Sequence, residues 1–444
     1  MASLGDSQKE AGMRLVLVVP AFPKLSETFI VSKFLGLLEK GWDVHIACDA
    51  SDPSEWKKFP DLVSRSDIRE RVHCGWPHRP RWLALLLLPV LFVKSLLINR
   101  RGTVRYLKQR WSRLGFDTLR RFYLDANLLG LNPNVTHFEF GTLALGRMHL
   151  KEIIDSKVVV SFRGYDLNFA GLENPTHYQE VWNSADALHL LGDDLWRRAQ
   201  RRGCPPDKVH ALIPPAIDVQ FFLSGDRRHT ETTGAPERPL RILSVGRLEW
   251  KKGYEYAISA VRILRQQGVN FEYRIVGDGG FLEAVAFARH QMGVKKAVHL
   301  LGARSRPEVR AEMLWADVFL HPAVSEGFCN AVLEAQSMAL PVVCSDADGL
   351  TENVVNGETG FVVPRRNPQA IAEKLILLAS NPAVRQRMGL AGRQRVIACF
   401  QLIDQISAFD RLYRQVLQND PGKKDIDSQD HRFRNLTRPS SASQ

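Results

Sequence analysis

H-P-A-V-S-E-G-F-C-N-A-V-L-E-A-Q-S-M-A-L-P-V-V-C-S-D-A-D-G-L-T, residues 321–351, is the stretch from which the rest of the chain is read. It opens at the end of an apolar run, 318–320, that has the length and composition of a buried strand. A loop, 322–327, leads into a helical run, 328–339, which Pro341 stops before a second apolar strand at 342–344. Two carboxylates punctuate this unit: Glu326 in the loop and Glu334 about two turns into the helix. Between them the amides of Phe328, Cys329 and Asn330 fall at the helix start, where N–H groups lack intrahelical acceptors and the positive end of the dipole converges. Such a terminus suits a diphosphate. Glu334 then falls where it can accept hydrogen bonds from a ribose, and Glu326 faces whatever the phosphate carries.

The pattern repeats outward. Strands are expected at 241–245, 273–276, 298–301, 318–320, 342–344 and 361–363, alternating with helices at 254–267, 281–291, 306–315, 328–339 and 368–378. That alternation predicts a doubly wound parallel sheet. Its first loop, S-V-G-R-L-E-W-K-K-G (244–253), places Arg247 and Lys252 around a tight turn, two cations suited to a diphosphate and to the charge that builds as it leaves. Its second, I-V-G-D-G-G (275–280), offers Gly277 and Asp278 in a turn where backbone can approach a ligand closely. The earlier half has the same rhythm: strands at 14–19, 43–48, 187–191 and 209–213, the loop P-A-F-P-K-L-S-E-T (20–28) after the first, and two stretches, V-T-H-F-E-F-G (135–141) and V-V-V-S-F-R-G-Y-D-L (158–167), that read as buried strands emptying into polar loops at their carboxyl ends. In open α/β sheets ligands bind there. Two such halves joined by a polar linker leave a cleft between them.

Composition narrows the class. The 444 residues carry a net charge of +12 and six cysteines without a C-x-x-C pair, which points to a reducing compartment and away from a metal cluster or disulfide frame. Residues 1–12 lack an apolar signal core, so a cytoplasmic location is expected. Residues 71–121 are strongly basic and contain the run L-A-L-L-L-L-P-V-L-F-V-K-S-L-L-I (83–98), interrupted by Pro89 and Lys94 and short for a spanning helix. This reads as an interfacial helix on an anionic leaflet, with a buried core helix as the alternative. No nucleic-acid motif accompanies the charge.

The E-x7-E spacing of Glu326 and Glu334, followed by A-L-P-V-V and by G-E-T-G-F-V-V-P (357–364), resembles the donor-site signature of retaining glycosyltransferases of family 4, the glycosyl transferases group 1 domain. V-G-R-L-x3-K-G resembles that family's phosphate-clamping loop, and F-P-K-L-S-E-T-F-I resembles the first loop of exopolysaccharide glycosyltransferases of the colanic-acid type. The resemblance implies a GT-B architecture: two doubly wound, Rossmann-like parallel-sheet domains facing a cleft. The expected divisions are 13–215 (acceptor side), a linker at 216–239, 240–399 (donor side), a helix at 400–418 crossing back, and a disordered tail at 419–444. It further implies a hexosyltransferase of the retaining kind that uses a nucleotide diphosphate sugar, needs no metal or other cofactor, and glycosylates a glycan or lipid-linked acceptor in cell-surface polysaccharide biosynthesis. Donor contacts are assigned to Arg247, Lys252, Gly277, Asp278, Phe328, Cys329, Asn330 and Glu334, and acceptor contacts to Lys24, Arg163 and Asp166. Glu326 and His137 are the catalytic candidates. Arg163 stands where the family commonly has histidine; guanidinium stays protonated, so His137 is the candidate for the missing imidazole. Asp166 orients an acceptor hydroxyl or pairs with Arg163. Ala339 stands where the family often has glycine. A non-catalytic sugar-binding or assembly subunit, and an epimerase or phosphorylase on the same fold, are the alternative readings.

Overall fold

The computed structural model describes residues 12–75, 81–223 and 231–418; the expectations for the N-terminal segment up to residue 11, for residues 224–230 of the linker and for the tail lie outside the described residues. Seven parallel strands form the first sheet: β1 (Arg14–Ala21), β2 (Asp43–Ala50), β3 (Val72–Cys74), β4 (Val135–Phe138), β5 (Lys157–Phe162), β6 (Ala187–Leu190) and β7 (His210–Leu212), in the order β3-β2-β1-β4-β5-β6-β7. The second sheet has six: β8 (Leu240–Val245), β9 (Phe271–Val276), β10 (Val298–Gly302), β11 (Val318–His321), β12 (Val342–Ser345) and β13 (Gly360–Val363), ordered β10-β9-β8-β11-β12-β13. The strands are short continuous apolar runs because helices cover both faces of each sheet. Alternation divides β1: Val16 and Val18 enter the core on one face, Leu15, Leu17 and Val19 the core on the other. Strand order reverses between β1 and β4 and between β8 and β11, so each sheet opens a crevice at those carboxyl ends.

A few helices frame these crevices. Helix α1 (Thr28–Glu39) leaves the loop after β1. Helices α2 (Arg81–Ile98, with Pro89 inside), α3 (Arg100–Leu114) and α4 (Asp117–Leu131) form an insertion between β3 and β4. In the first half, α5 (Asp193–Arg201) follows β6; in the second, α6 (Asn330–Ser337) follows β11. The last helix, α7 (Leu402–Gln418), returns to the first sheet, where Ile406, Phe409, Leu412, Tyr413 and Val416 share a core with β1 and α1. A Cβ on Gly36 of α1 would fall 2.1 Å from the Ile406 Cδ1, so glycine lets the two helices meet.

One expected boundary is corrected. The helix expected at 328–339 starts two residues later, at Asn330. The described parts of the expected linker are packed: Ile217, Val219 and Phe222 lie in the second domain's core, and Thr233 is buried. Ala339 ends α6 with φ +55°, a left-handed conformation in which glycine carries no Cβ penalty.

Candidate active site

The loops at the two crevices face one another across a cavity of about 390 Å³. The first domain contributes Glu27, Lys33, Arg163, Asn168 and His189, and the second Arg247, Lys252, Glu326 and the start of α6. The walls are close: a Cβ on Gly327 would lie 2.9 Å from the Gly164 backbone, so only glycines let the two domains touch here.

On the second-domain side, Lys252 sits on a 3-10 turn (Trp250–Lys252) and forms an ion pair with Glu326. Val324 N–H donates to Lys251 O at 2.7 Å, which ties the two loops together. His321, at the end of β11, lies 3.3 Å from the same Glu326 oxygen, and Cys329 Sγ lies 3.9 Å from its other nitrogen. Burial alone would raise the Glu326 carboxyl, but Lys252 and then His321 outweigh it and hold it at about 2. Burial would likewise discharge His321, yet Cys329 and Glu326 raise it to about 9. His321, Glu326 and Cys329 have ligand atoms within 4.8 Å of one another, but Lys252 already bonds the shared carboxylate, so a cation of the protein's own sits there. Arg247 is largely exposed and reaches Glu249 at 2.8 Å.

At the start of α6, the Cys329 amide donates to Asn353 Oδ1 at 2.9 Å and is therefore taken, contrary to expectation. Since the helix begins at Asn330, the amides of Asn330, Ala331 and Val332 are those without an intrahelical acceptor, and no side chain caps them. Phe328 precedes the helix and packs against Phe400. Glu334 is half-buried on α6, and its carboxylate has no hydrogen-bond or ion-pair partner among the described residues. Burial raises it to about 7, with Arg306 opposing the rise. Gly277 and Asp278 do not line the cavity. A Cβ on Gly277 (φ +143°) would fall 1.9 Å from Gly246 O, so this glycine serves loop-on-loop packing. Asp278 is exposed and accepts from Gly279 N–H at 2.7 Å.

The first-domain wall holds a buried polar chain that sequence reading missed. Glu139, fully buried after β4, accepts from Lys33 Nζ at 2.6 Å and from the Arg163 guanidinium at 3.0 Å. Burial pushes Lys33 down to about 8 despite Glu139, while Lys33 and Arg163 together hold Glu139 below its usual range against burial. Lys33 also donates to His137 Nδ1 at 3.0 Å. Lysine can only donate, so Nδ1 accepts and Nε2 carries the proton, donating to Ser161 Oγ at 2.7 Å. Ser161 in turn donates to His189 Nδ1 at 2.7 Å, and His189 Nε2–H donates to Ile213 O at 2.9 Å. Tyr413 of α7 joins at His137 Nδ1, 2.5 Å away.

His137 is consequently a fully buried, neutral imidazole behind the wall rather than a group in the cavity; burial, then Lys33 and Arg163, push its pKa well below the ordinary value. Asp166 is also corrected. It is buried, does not line the cavity, and accepts from the backbone N–H groups of Arg163 (2.9 Å) and Thr142 (3.1 Å), so it shapes the loop. Lys24 is exposed, pairs with Glu27 at 3.1 Å and does not line the cavity. Arg163 does line it, its guanidinium 3.9 Å over the Phe29 ring. The missed residues left a faint signal: Lys33 and Glu139 are solitary charges in apolar runs, and buried charges need partners.

Asp348 closes the site. This buried carboxylate accepts from Arg198 of α5 (2.6 Å) and Asn168 (3.0 Å) of the first domain and from Ser325 (2.6 Å), the Glu326 amide (3.1 Å) and Arg365 (3.2 Å) of the second. Nearby, Glu352 accepts from the Asp193 and Asp194 amides at the start of α5.

Two doubly wound parallel-sheet domains meeting at a cleft lined from both sides define a GT-B glycosyltransferase fold. Residues 226–395 match the family model for glycosyl transferases group 1, so the chain carries a domain of that kind. Over 392 residues it is 29% identical to WcaL of Escherichia coli (strain K12), named for colanic acid biosynthesis, covering 82% of this chain and 90% of that one. It is 26% identical to the amylovoran biosynthesis glycosyltransferase AmsK of Erwinia amylovora, over 86% and 95% of the two chains. Similar solved structures include sucrose-phosphate synthase from Thermosynechococcus elongatus (TM-score 0.67, 18% identity, 91% and 99% covered) and Anabaena HepE in complex with UDP-glucose (TM-score 0.67, 13% identity, 91% and 100% covered).

Proposed function

We propose that the protein transfers a sugar from a nucleotide diphosphate sugar to a hydroxyl of a glycan or lipid-linked acceptor, with retention of configuration, in the synthesis of a cell-surface polysaccharide. The observation that carries this reading is the Lys252–Glu326–His321 cluster beside the open amides of α6, inside a cleft that both domains line. The names of WcaL and AmsK support the polysaccharide, and the ligand in the HepE structure supports the donor class.

In this reading the diphosphate lies over the amides of Asn330 and Ala331, with Arg247 and Lys252 on its oxygens. Glu334 accepts from the ribose hydroxyls. Glu326 faces the transferred sugar and stabilises the positive charge that develops as its bond to the phosphate oxygen breaks. The acceptor oxygen bonds the same carbon on the same face, and its proton passes to the departing phosphate. Two cations and a helix N-terminus neutralise the diphosphate, which makes a metal ion unnecessary. Arg163, fixed by Glu139, is the acceptor-side cation. The protein works on the cytoplasmic side, with α2 and α3 against an anionic membrane surface; among the described residues no helix is long and apolar enough to cross a membrane.

The test is thermal stabilisation by a panel of nucleoside diphosphates and their sugars, for wild type and Lys252→Ala. At a hundred times its dissociation constant a ligand stabilises by about 2.7 kcal/mol. One nucleotide should stabilise the wild type and lose most of that effect in the variant. No shift with any nucleotide would move the reading to a non-catalytic subunit.

Glu334 adds a pH dependence. Its carboxyl titrates near 7 in the free protein, and the ribose hydroxyls donate to its ionised form. Nucleotide affinity therefore rises with pH through 7: between pH 6 and 8 the dissociation constant should fall about tenfold, and Glu334→Gln should flatten the profile. Isothermal titration at the two pH values measures both.

A further inference from the structure

The insertion α2–α4 carries an apolar surface that the proposed sugar transfer does not use. One face of α2 is in the core, where Leu88, Leu91 and Phe92 pack against the first domain. Its opposite face should be polar. Instead Leu86, Val90, Val93 and Leu97 recur at intervals of four, three and four residues and are exposed, Leu97 by 82%. Beside this stripe lies a cavity of about 740 Å³ between α2, α3 and α4, walled by Leu88, Phe92, Leu107, Trp111, Leu119 and Phe122. That volume is in the range of small-molecule sites. Its polar residues are Lys108 and Ser112.

Charge identifies the occupant. From Arg81 to Phe116 the sequence contains no Asp or Glu. Lys94, Arg100, Arg101 and Lys108 are exposed and form no ion pair among the described residues. Apolar stripe, apolar cavity and unpaired cations share one insertion, the combination that a lipid with an anionic headgroup matches at both ends.

We infer that the cavity between α2, α3 and α4 receives one hydrocarbon chain of an anionic membrane lipid, with the exposed stripe of α2 lying in the leaflet around it. The inference rests on the membrane contact proposed above and not on the transfer reaction, which nucleotide binding tests separately.

The experiment uses the full chain and vesicles of phosphatidylcholine with phosphatidylglycerol, or of phosphatidylcholine alone. The phosphatidylcholine carries acyl chains that are plain or brominated, since bromine quenches tryptophan at contact. The protein should sediment with the anionic vesicles and not the neutral ones, and Lys94→Glu with Arg101→Glu should lower the bound fraction at least about tenfold. Brominated chains should quench wild-type emission more than that of Trp111→Phe, a substitution that keeps the cavity wall apolar; melting temperatures confirm that each variant is folded. Sedimentation with equal quenching in the two proteins would overturn the chain site while leaving surface contact intact. Failure to sediment would overturn both, and a concentration-dependent dimer in the absence of vesicles would assign the apolar face to a second copy.

Discussion

Glu326→Gln should lower kcat by about 10²- to 10³-fold, the loss seen when one preorganised electrostatic contact to a transition state is removed. The carboxylate is ionised at any working pH, because Lys252 and His321 hold it at about 2. It is also fixed in place: its amide donates to Asp348 and its carbonyl accepts from Gly349. Glutamine keeps an acceptor for Lys252, so the loop should stay folded, and the donor KM should move less than kcat. The two parameters come from initial rates at varied donor. Glu334→Asp, which shortens a contact made in both ground and transition state, should cost far less in kcat. Equal losses in the two variants would mean that Glu326 does not sense the developing charge.

Glu139→Ala should have the largest effect on stability. The substitution leaves Lys33 and Arg163 without their shared anion, and Lys33 is only 2% exposed. Breaking a buried pair in this way costs about 3–5 kcal/mol, because the remaining charge is uncompensated. For a domain of this size the melting temperature should fall by roughly 10 °C. Arg163 should also lose its place above Phe29, so acceptor turnover drops together with stability. Calorimetry of wild type, Glu139→Gln and Glu139→Ala separates the contributions: glutamine keeps an acceptor and should be intermediate. A melting temperature unchanged in Glu139→Ala would mean that solvent reaches Lys33.

The fold was legible because its signals are local. Apolar runs such as V-V-V-S-F, helical stretches between them, and Pro341 as a stop mark elements over a few residues, and their alternation determines the sheet type. The local placement of the residues expected on the donor side was legible for the same reason. Arg247, Lys252, Glu326 and Glu334 lie on two loop–helix units, each readable within its own segment. What failed depended on contacts between distant segments. Whether Cys329's amide is open depends on Asn353, and whether His137 faces the cleft depends on Lys33, Ser161 and Tyr413. Gly277 and Asp166 fit a ligand role by residue type, but each is occupied by backbone of its own domain. Asp348 drew no role from its own segment because its partners come from both halves of the chain.

The return of α7 to the first sheet sets an order of assembly. The described residues of the second domain's cores all fall between Ile217 and Phe400, whereas the first domain's core includes Phe409, Leu412 and Tyr413, which follow that stretch in the chain. Domains generally fold as they leave the ribosome, earliest first. Here the domain translated first lacks one of its walls, and the partner that His137 finds in Tyr413, until the whole second domain has been made. The second domain can therefore close while the first still waits for its final helix, so the order of folding runs opposite to the order of synthesis.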